Sequence, residues 1–156
     1  MSLTLAIILL VASAPVTNAA EEYSMWDPQQ NIIVRTIAET YSRNTNNEGY
    51  IIIPIASICQ PVMQGEDNEF YLRRNNYGEY DILGTPFFDY RCDVQNGRNI
   101  IVYGHSTPGM GLFGRLELFI KNNNYRNNYI YLYIDGEQRT YAVVSVFIYN
   151  QASSPE

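Results

Sequence analysis

Histidine is almost missing from this chain: His105 is the only one in 156 residues. Every general-base scheme that relies on imidazole must therefore use that residue. Cysteine is nearly as scarce. Cys59 and Cys92 lie far apart in unlike contexts, so a disulfide framework is not indicated. Charge is sparse and unbalanced, with 17% charged residues and 16 acidic against 10 basic side chains for a net charge of -6. No basic cluster exists beyond Arg73-Arg74, which excludes a nucleic-acid partner, because phosphate binding needs a clustered basic surface. Long hydrophobic runs are also absent. The longest opens the chain, Met1 to Val11, shorter than the roughly 20 residues that span a bilayer comfortably. No internal repeat or low-complexity tract occurs.

The opening run has the length of a signal-peptide h-region. Thr17-Asn18-Ala19-Ala20 offers small residues for cleavage after Ala19, and Glu21-Glu22 would open the mature chain. No Lys or Arg precedes Arg35, so the usual positive n-region is lacking. The expectation is an exported protein with residues 1–20 as a cleaved leader or N-terminal anchor, residues 27–150 as one folded domain and residues 151–156 as a polar tail.

What is present in quantity is apolar and aromatic: 46% hydrophobic residues, 13% aromatic, and fourteen tyrosines. This composition describes a folded, β-rich domain. Asp27-Pro28 reads as an N-cap with proline at the first helical position, and Ile33, Ile37 and Tyr41 then repeat at helical spacing. From Tyr50 onward short apolar runs alternate with Pro, Gly, Asn and Asp, which predicts strands at 50–53, 57–63, 85–89 and 99–103. A single helical turn is expected through Phe70-Tyr71-Leu72, and a second amphipathic helix over Leu112, Phe113, Leu116 and Ile120. Asp135-Gly136 between β-rich runs at 129–134 and 140–149 is a hairpin signal. In its first strand Ile130, Leu132 and Ile134 share one face, leaving Tyr129, Tyr131 and Tyr133 on a wetter one.

His105 follows the apolar strand Ile100-Ile101-Val102-Tyr103 and opens a glycine-rich loop, where a scaffold presents a side chain at a pocket rim. Neither cysteine is an obvious partner. Cys92 falls in a loop after Phe87-Phe88-Asp89-Tyr90-Arg91, and Cys59 is expected to pack within a strand beside Ile58. An active thiolate needs both a lowered pKa and reach to the base. Asp67, Asp89 and Asp93 read as turn and loop residues that bond their own backbone. Arg91, Arg98 and Arg115 read as solvated surface side chains.

The segment Asn99 to His105, followed by Met110, Phe113 and Leu116, resembles the histidine block of the class B sortases, with Gly111-Leu112 separating Met110 from Phe113 where the family has Met-Phe. Further matches follow in order. Gly49-Tyr50-Ile51-Ile52-Ile53-Pro54 is similar to the family's opening strand. Pro61-Val62-Met63-Gln64 with Asn68 to Leu72 resembles its Pro-Val-x-Gln to Asn-x-x-Tyr-Leu segment. Gly84 to Arg91 resembles its Gly-x-x-Phe-x-Asp-x-Arg strand, and Tyr141 to Phe147 its Tyr-x-Val-x-Ser-Val strand. The resemblance runs from about Asp27 to Asn150.

It implies a mainly β fold with short helices: a sortase-type β-barrel with an N-terminal helix, incomplete because the final cysteine- and arginine-bearing strands are absent. It also implies a cysteine transpeptidase of the Gram-positive cell surface that needs no cofactor or metal. In that chemistry a thiolate attacks a sorting-signal peptide, and an amine from a peptidoglycan precursor resolves the thioacyl intermediate. By resemblance His105 is the general acid/base. The family's Thr-Leu-x-Thr-Cys nucleophile motif and the following arginine have no counterpart in the sequence, and Cys92 is a poor substitute. The expectation is thus a truncated sortase, inactive alone, with unpaired strand edges. The alternative is an exported sortase-like module that binds peptide or cell-wall polymer through its tyrosine faces without chemistry.

Overall fold

The computed structural model describes residues 4–11, 28–106, 112–121 and 129–146. Outside the described residues lie the expected cleavage site, most of the glycine-rich loop with Met110, the end of the last expected strand and the polar tail.

Seven strands form one sheet: β1 Thr4–Val11, β2 Asn47–Ile53, β3 Ile58–Met63, β4 Phe87–Phe88, β5 Asn99–Ser106, β6 Tyr129–Ile134 and β7 Glu137–Ala142, in the order β1-β5-β4-β3-β2-β6-β7. All pairings are antiparallel except β3 with β4, which meet at Met63 and Phe87. Helix α1, Pro28–Arg43, begins at the predicted proline and contacts β2. The fold is mainly β with few short helices.

Local chemistry explains the turns. Ile53 leads into a 3-10 turn at Pro54–Ala56, and Ser57 in the left-handed region (φ +49°) reverses the chain into β3. Asp135 and Gly136 both have positive φ, the geometry of a tight hairpin turn whose twist matches its strands. The register Ile134 with Glu137 through Tyr129 with Ala142 follows, so β7 begins three residues earlier than predicted.

Strand alternation divides the side chains. Ile51, Ile53, Ile58, Val62, Phe88, Ile100, Val102, Ile130, Leu132 and Ile134 build the main core with Phe113 and Phe119. The other face carries Tyr50, Ile52, Tyr131 and Tyr133 in one cluster, and Met63, Tyr71 and Phe87 with Tyr103 and Leu72 in another. The tyrosine face is therefore not wet. Tyr131 and Tyr133 are buried, packed with Tyr50, Ile52 and the partly buried Tyr129.

Three expectations are revised. Strand β4 shrinks to two residues, bounded by Pro86, which has no N–H to donate, and by the turn in which the Cys92 N–H donates to the Asp89 carbonyl at 2.9 Å. The second helix starts as a 3-10 turn at Phe113–Leu116, preceded by Leu112 at φ +55°, before α2, Glu117–Lys121, closes with a Glu117–Lys121 ion pair at 2.8 Å. Finally, residues 4–11 do not stand apart: β1 pairs with β5 along its whole length, from Thr4 opposite Ser106 to Val11 opposite Asn99. The β5 edge is thus covered within the chain. No helix among the described residues is long and apolar enough to cross a membrane.

Candidate functional site

Alternation along β5 decides what surrounds His105. Ile100, Val102 and Gly104 face the main core, whereas Tyr103 and His105 face the second cluster. Gly104 has to be a glycine. A Cβ there would come within 2.7 Å of the Phe113 ring, which seats against the bare backbone. The Tyr-Gly-His spacing thus lets an aromatic ring close one side of the strand while the imidazole emerges on the other.

His105 lies inside β5 and is only 7% exposed, not at a loop rim. The strand runs three residues beyond its predicted end because β1 continues the ladder opposite Ser106 and His105. The imidazole Nε2 is 2.8 Å from the carbonyl oxygen of Leu72. A carbonyl only accepts, so Nε2 carries the hydrogen and Nδ1 keeps the free lone pair. Nδ1 is buried and has no hydrogen-bond partner among the described residues.

Two residues back on the same face, the Tyr103 hydroxyl donates to Asp89 Oδ2 at 2.9 Å, and its ring packs against Phe87 at 5.3 Å between centroids. Asp89 is 1% exposed and accepts from Arg91 Nε (2.8 Å), Arg91 Nη2 (2.7 Å), the Arg91 backbone N–H (2.9 Å) and Asn68 Nδ2 (3.1 Å). The Arg91 guanidinium holds the Asp89 carboxyl well below the usual carboxylate range against the opposing effect of burial. Burial, reinforced by Asp89, pushes the Tyr103 phenol up, which keeps it a neutral donor. Gln64 completes the frame: its Nε2 donates to the carbonyls of Asp89 (3.1 Å) and Cys92 (2.9 Å).

The other candidates are placed elsewhere. Cys92 Sγ accepts from the Ile101 N–H at 3.4 Å, four residues from His105, or about 13 Å along a strand. Cys59 is exposed rather than packed, with its thiol against the Tyr50 hydroxyl. Both thiols are free. Arg91 is committed to Asp89, and Arg98 and Arg115 are exposed. Asp67 and Asp93 do bond the backbone of their own turns, at Glu69 and Phe70 and at Gln95 and Asn96. Asp89 departs from that reading. Its Asx-type bond to Arg91 is one of five: two more come from the Arg91 guanidinium, and those from Asn68 and Tyr103 tie it to distant elements.

No family model matches the chain. It is 32% identical over 88 residues, 56% of its length, to sortase B of Staphylococcus aureus, and 31% identical over 78 residues, 49% of its length, to sortase B of Listeria monocytogenes. Those matches cover 36% and 32% of the two proteins, so the chain spans about a third of the length of the curated relatives it matches. In three dimensions it is similar to sortase B from B. anthracis in complex with AAEK1, with a TM-score of 0.66 and 26% identity over 88% of this chain and 75% of that one. The chain is a homologue of the class B sortases. In this sortase homologue, segments far apart in sequence converge on β5: Leu72 meets His105, Asn68 and Tyr103 meet Asp89, and Gln64 braces the turn after β4. The sequence singles out His105 as a candidate but points neither to Asp89 as a hub nor to the Leu72 carbonyl as the partner of the imidazole. The available signal was the Asp-x-Arg spacing, which permits a side-on ion pair, together with Tyr103 and His105 at strand period on one face.

Proposed function

We propose that this chain carries the histidine side of a sortase-type transpeptidase site, acting on a sorting-signal peptide at the surface of a Gram-positive bacterium. The observation that carries this reading is the buried imidazole of His105, with Nε2 satisfied by the Leu72 carbonyl and Nδ1 unpartnered. A desolvated base with one nitrogen fixed and the other free is suited to passing a proton between a leaving and an attacking amine. In the chemistry the family resemblance implies, His105 Nδ1 takes the proton of the attacking thiol, the thiolate forms the carbon–sulfur bond as the peptide C–N bond breaks, and His105 passes that proton to the departing amine. An incoming peptidoglycan amine then gives its proton back to His105 as it displaces the thiol.

The 156 residues hold no thiol within reach of His105 among those described, and Arg91 is occupied, so the nucleophile and oxyanion donor are not supplied by Cys92, Cys59 or Arg91. The chain by itself is inactive in this reading. Export through residues 1–20 remains part of this reading, and a cleaved leader would remove the Thr4–Val11 strand that pairs with β5. Incubation with a fluorogenic peptide of the Asn-Pro-x-Thr-Asn type, with and without a thiol blocker, tests this: no thiol-dependent cleavage is expected, and blocker-sensitive turnover would overturn it. The module alternative loses its stacking platform, since Tyr131 and Tyr133 are buried.

A further inference from the structure

The carbonyl that fixes His105 belongs to a 3-10 turn, Phe70–Arg73, clamped from two sides. From below, the Tyr71 hydroxyl accepts from Asn44 Nδ2 at 2.9 Å and Asn46 Nδ2 at 3.1 Å, tying the turn to the α1–β2 connection. From above, the Thr85 N–H donates to the Tyr71 carbonyl at 3.3 Å. Between them sits Gly84, with φ +64°, where an added Cβ would lie 2.3 Å from the Tyr71 carbonyl oxygen and 2.8 Å from that of Leu72. Those neighbours are backbone atoms, which cannot swing aside as a flexible side chain would. A side chain at 84 would therefore strain its own backbone and drive the Leu72 carbonyl from its place.

We propose that Gly84 is a positioning residue: by letting the Tyr71–Leu72 backbone lie flat against the 84–85 segment, it aims the Leu72 carbonyl at His105 Nε2 and thereby fixes the tautomer that leaves Nδ1 as the proton-exchanging nitrogen. The inference rests on the proposed acid/base role of His105 for its functional meaning, but not for its geometry. A hydrogen bond to one ring nitrogen sets which nitrogen carries the proton. Without the carbonyl, a neutral imidazole divides between two tautomers, and only part of the population offers Nδ1 as acceptor.

The single histidine makes the test direct. In the full chain labelled with nitrogen-15 and carbon-13, the His105 ring gives one pair of nitrogen resonances at a pH where the ring is neutral. Nε2 is expected at the position of a protonated nitrogen and Nδ1 at that of an unprotonated one, with a scalar coupling across the hydrogen bond from Nε2 to the Leu72 carbonyl carbon. A protonated Nδ1 in the unsubstituted chain overturns the proposal. In Gly84→Ala the two nitrogen resonances move toward each other and the coupling to Leu72 is lost; a folded variant that keeps both unchanged overturns it. Should Gly84→Ala not fold, Tyr71→Phe loosens the same turn from below, and an unmoved tautomer ratio there refutes the clamp. No sorting peptide enters these measurements, so an unmoved tautomer in Gly84→Ala or Tyr71→Phe overturns the positioning role alone and leaves the transpeptidase reading standing, and failure of peptide cleavage leaves the positioning role standing.

Discussion

Replacing Asp89 by alanine removes the acceptor of five hydrogen bonds, and the expected loss follows from where each donor goes afterwards. The Arg91 side chain is 65% exposed, so its guanidinium turns to water and contributes little to the loss. Tyr103 Oη and Asn68 Nδ2 are only partly buried and lose about 1 kcal/mol each, and the Arg91 backbone N–H adds a fraction of that, for a total of about 2 to 3 kcal/mol. Asp89→Asn keeps one carbonyl acceptor and should lose about half as much. Urea unfolding at neutral pH, read as a lower midpoint with unchanged slope, measures both. Acid supplies a second check. The folded Asp89 carboxyl is held below its unfolded value of about 4, so as pH falls through that value the unfolded chain takes up the proton first. Stability from Asp89 is complete above that point and drains away as pH drops toward the folded pKa. The gap between the parent chain and Asp89→Asn should therefore narrow in acid. Asp67, whose carboxyl is lowered chiefly by the Glu69 N–H, is present in both chains and cancels. A loss under about 0.5 kcal/mol for the alanine variant, within the range of an ordinary surface substitution, or a gap that stays constant in acid, would refute the hub.

Two further outcomes are expected. Gly104→Ala forces a methyl against the Phe113 ring and should cost about 1 to 3 kcal/mol by overpacking, seen as a lower melting temperature with the fold retained; an unchanged melt would show that Phe113 does not seat on the strand. The tautomer measurement on His105 should give an Nε2-protonated ring in the parent chain and a mixed one in Gly84→Ala.

The elements legible from the sequence are those whose signals are local. Pro28 opens α1 because its missing N–H costs nothing there, Asp135-Gly136 supplies the two positive-φ positions of a hairpin, and Phe70-Tyr71-Leu72 does form a single turn. The ordered segments around Gln64, Asn68, Asp89 and His105 were legible as a family resemblance. What they do to one another was not, because it depends on contacts between residues 14 to 33 positions apart. Strand pattern alone cannot report that Leu72 lends a backbone oxygen to His105, since a carbonyl has no residue type. Nor could it report that Tyr131 and Tyr133 are covered, because their burial depends on what lies over the sheet. The pairing of the opening apolar run was not legible either: a stretch such as Leu5 to Val11 suits a leader by composition, and only the fold shows its backbone laid along β5.

In the proposed role, His105 is a sortase base that needs a cysteine and an arginine supplied beside it. The most direct measurement joins the C-terminal portion of a class B sortase, with its cysteine and arginine, to the end of this chain and follows cleavage of the fluorogenic sorting peptide. Thiol-dependent cleavage by the folded fusion, abolished in His105→Ala, is the expected result. A folded fusion that cleaves equally well without His105, or does not cleave at all, would contradict it.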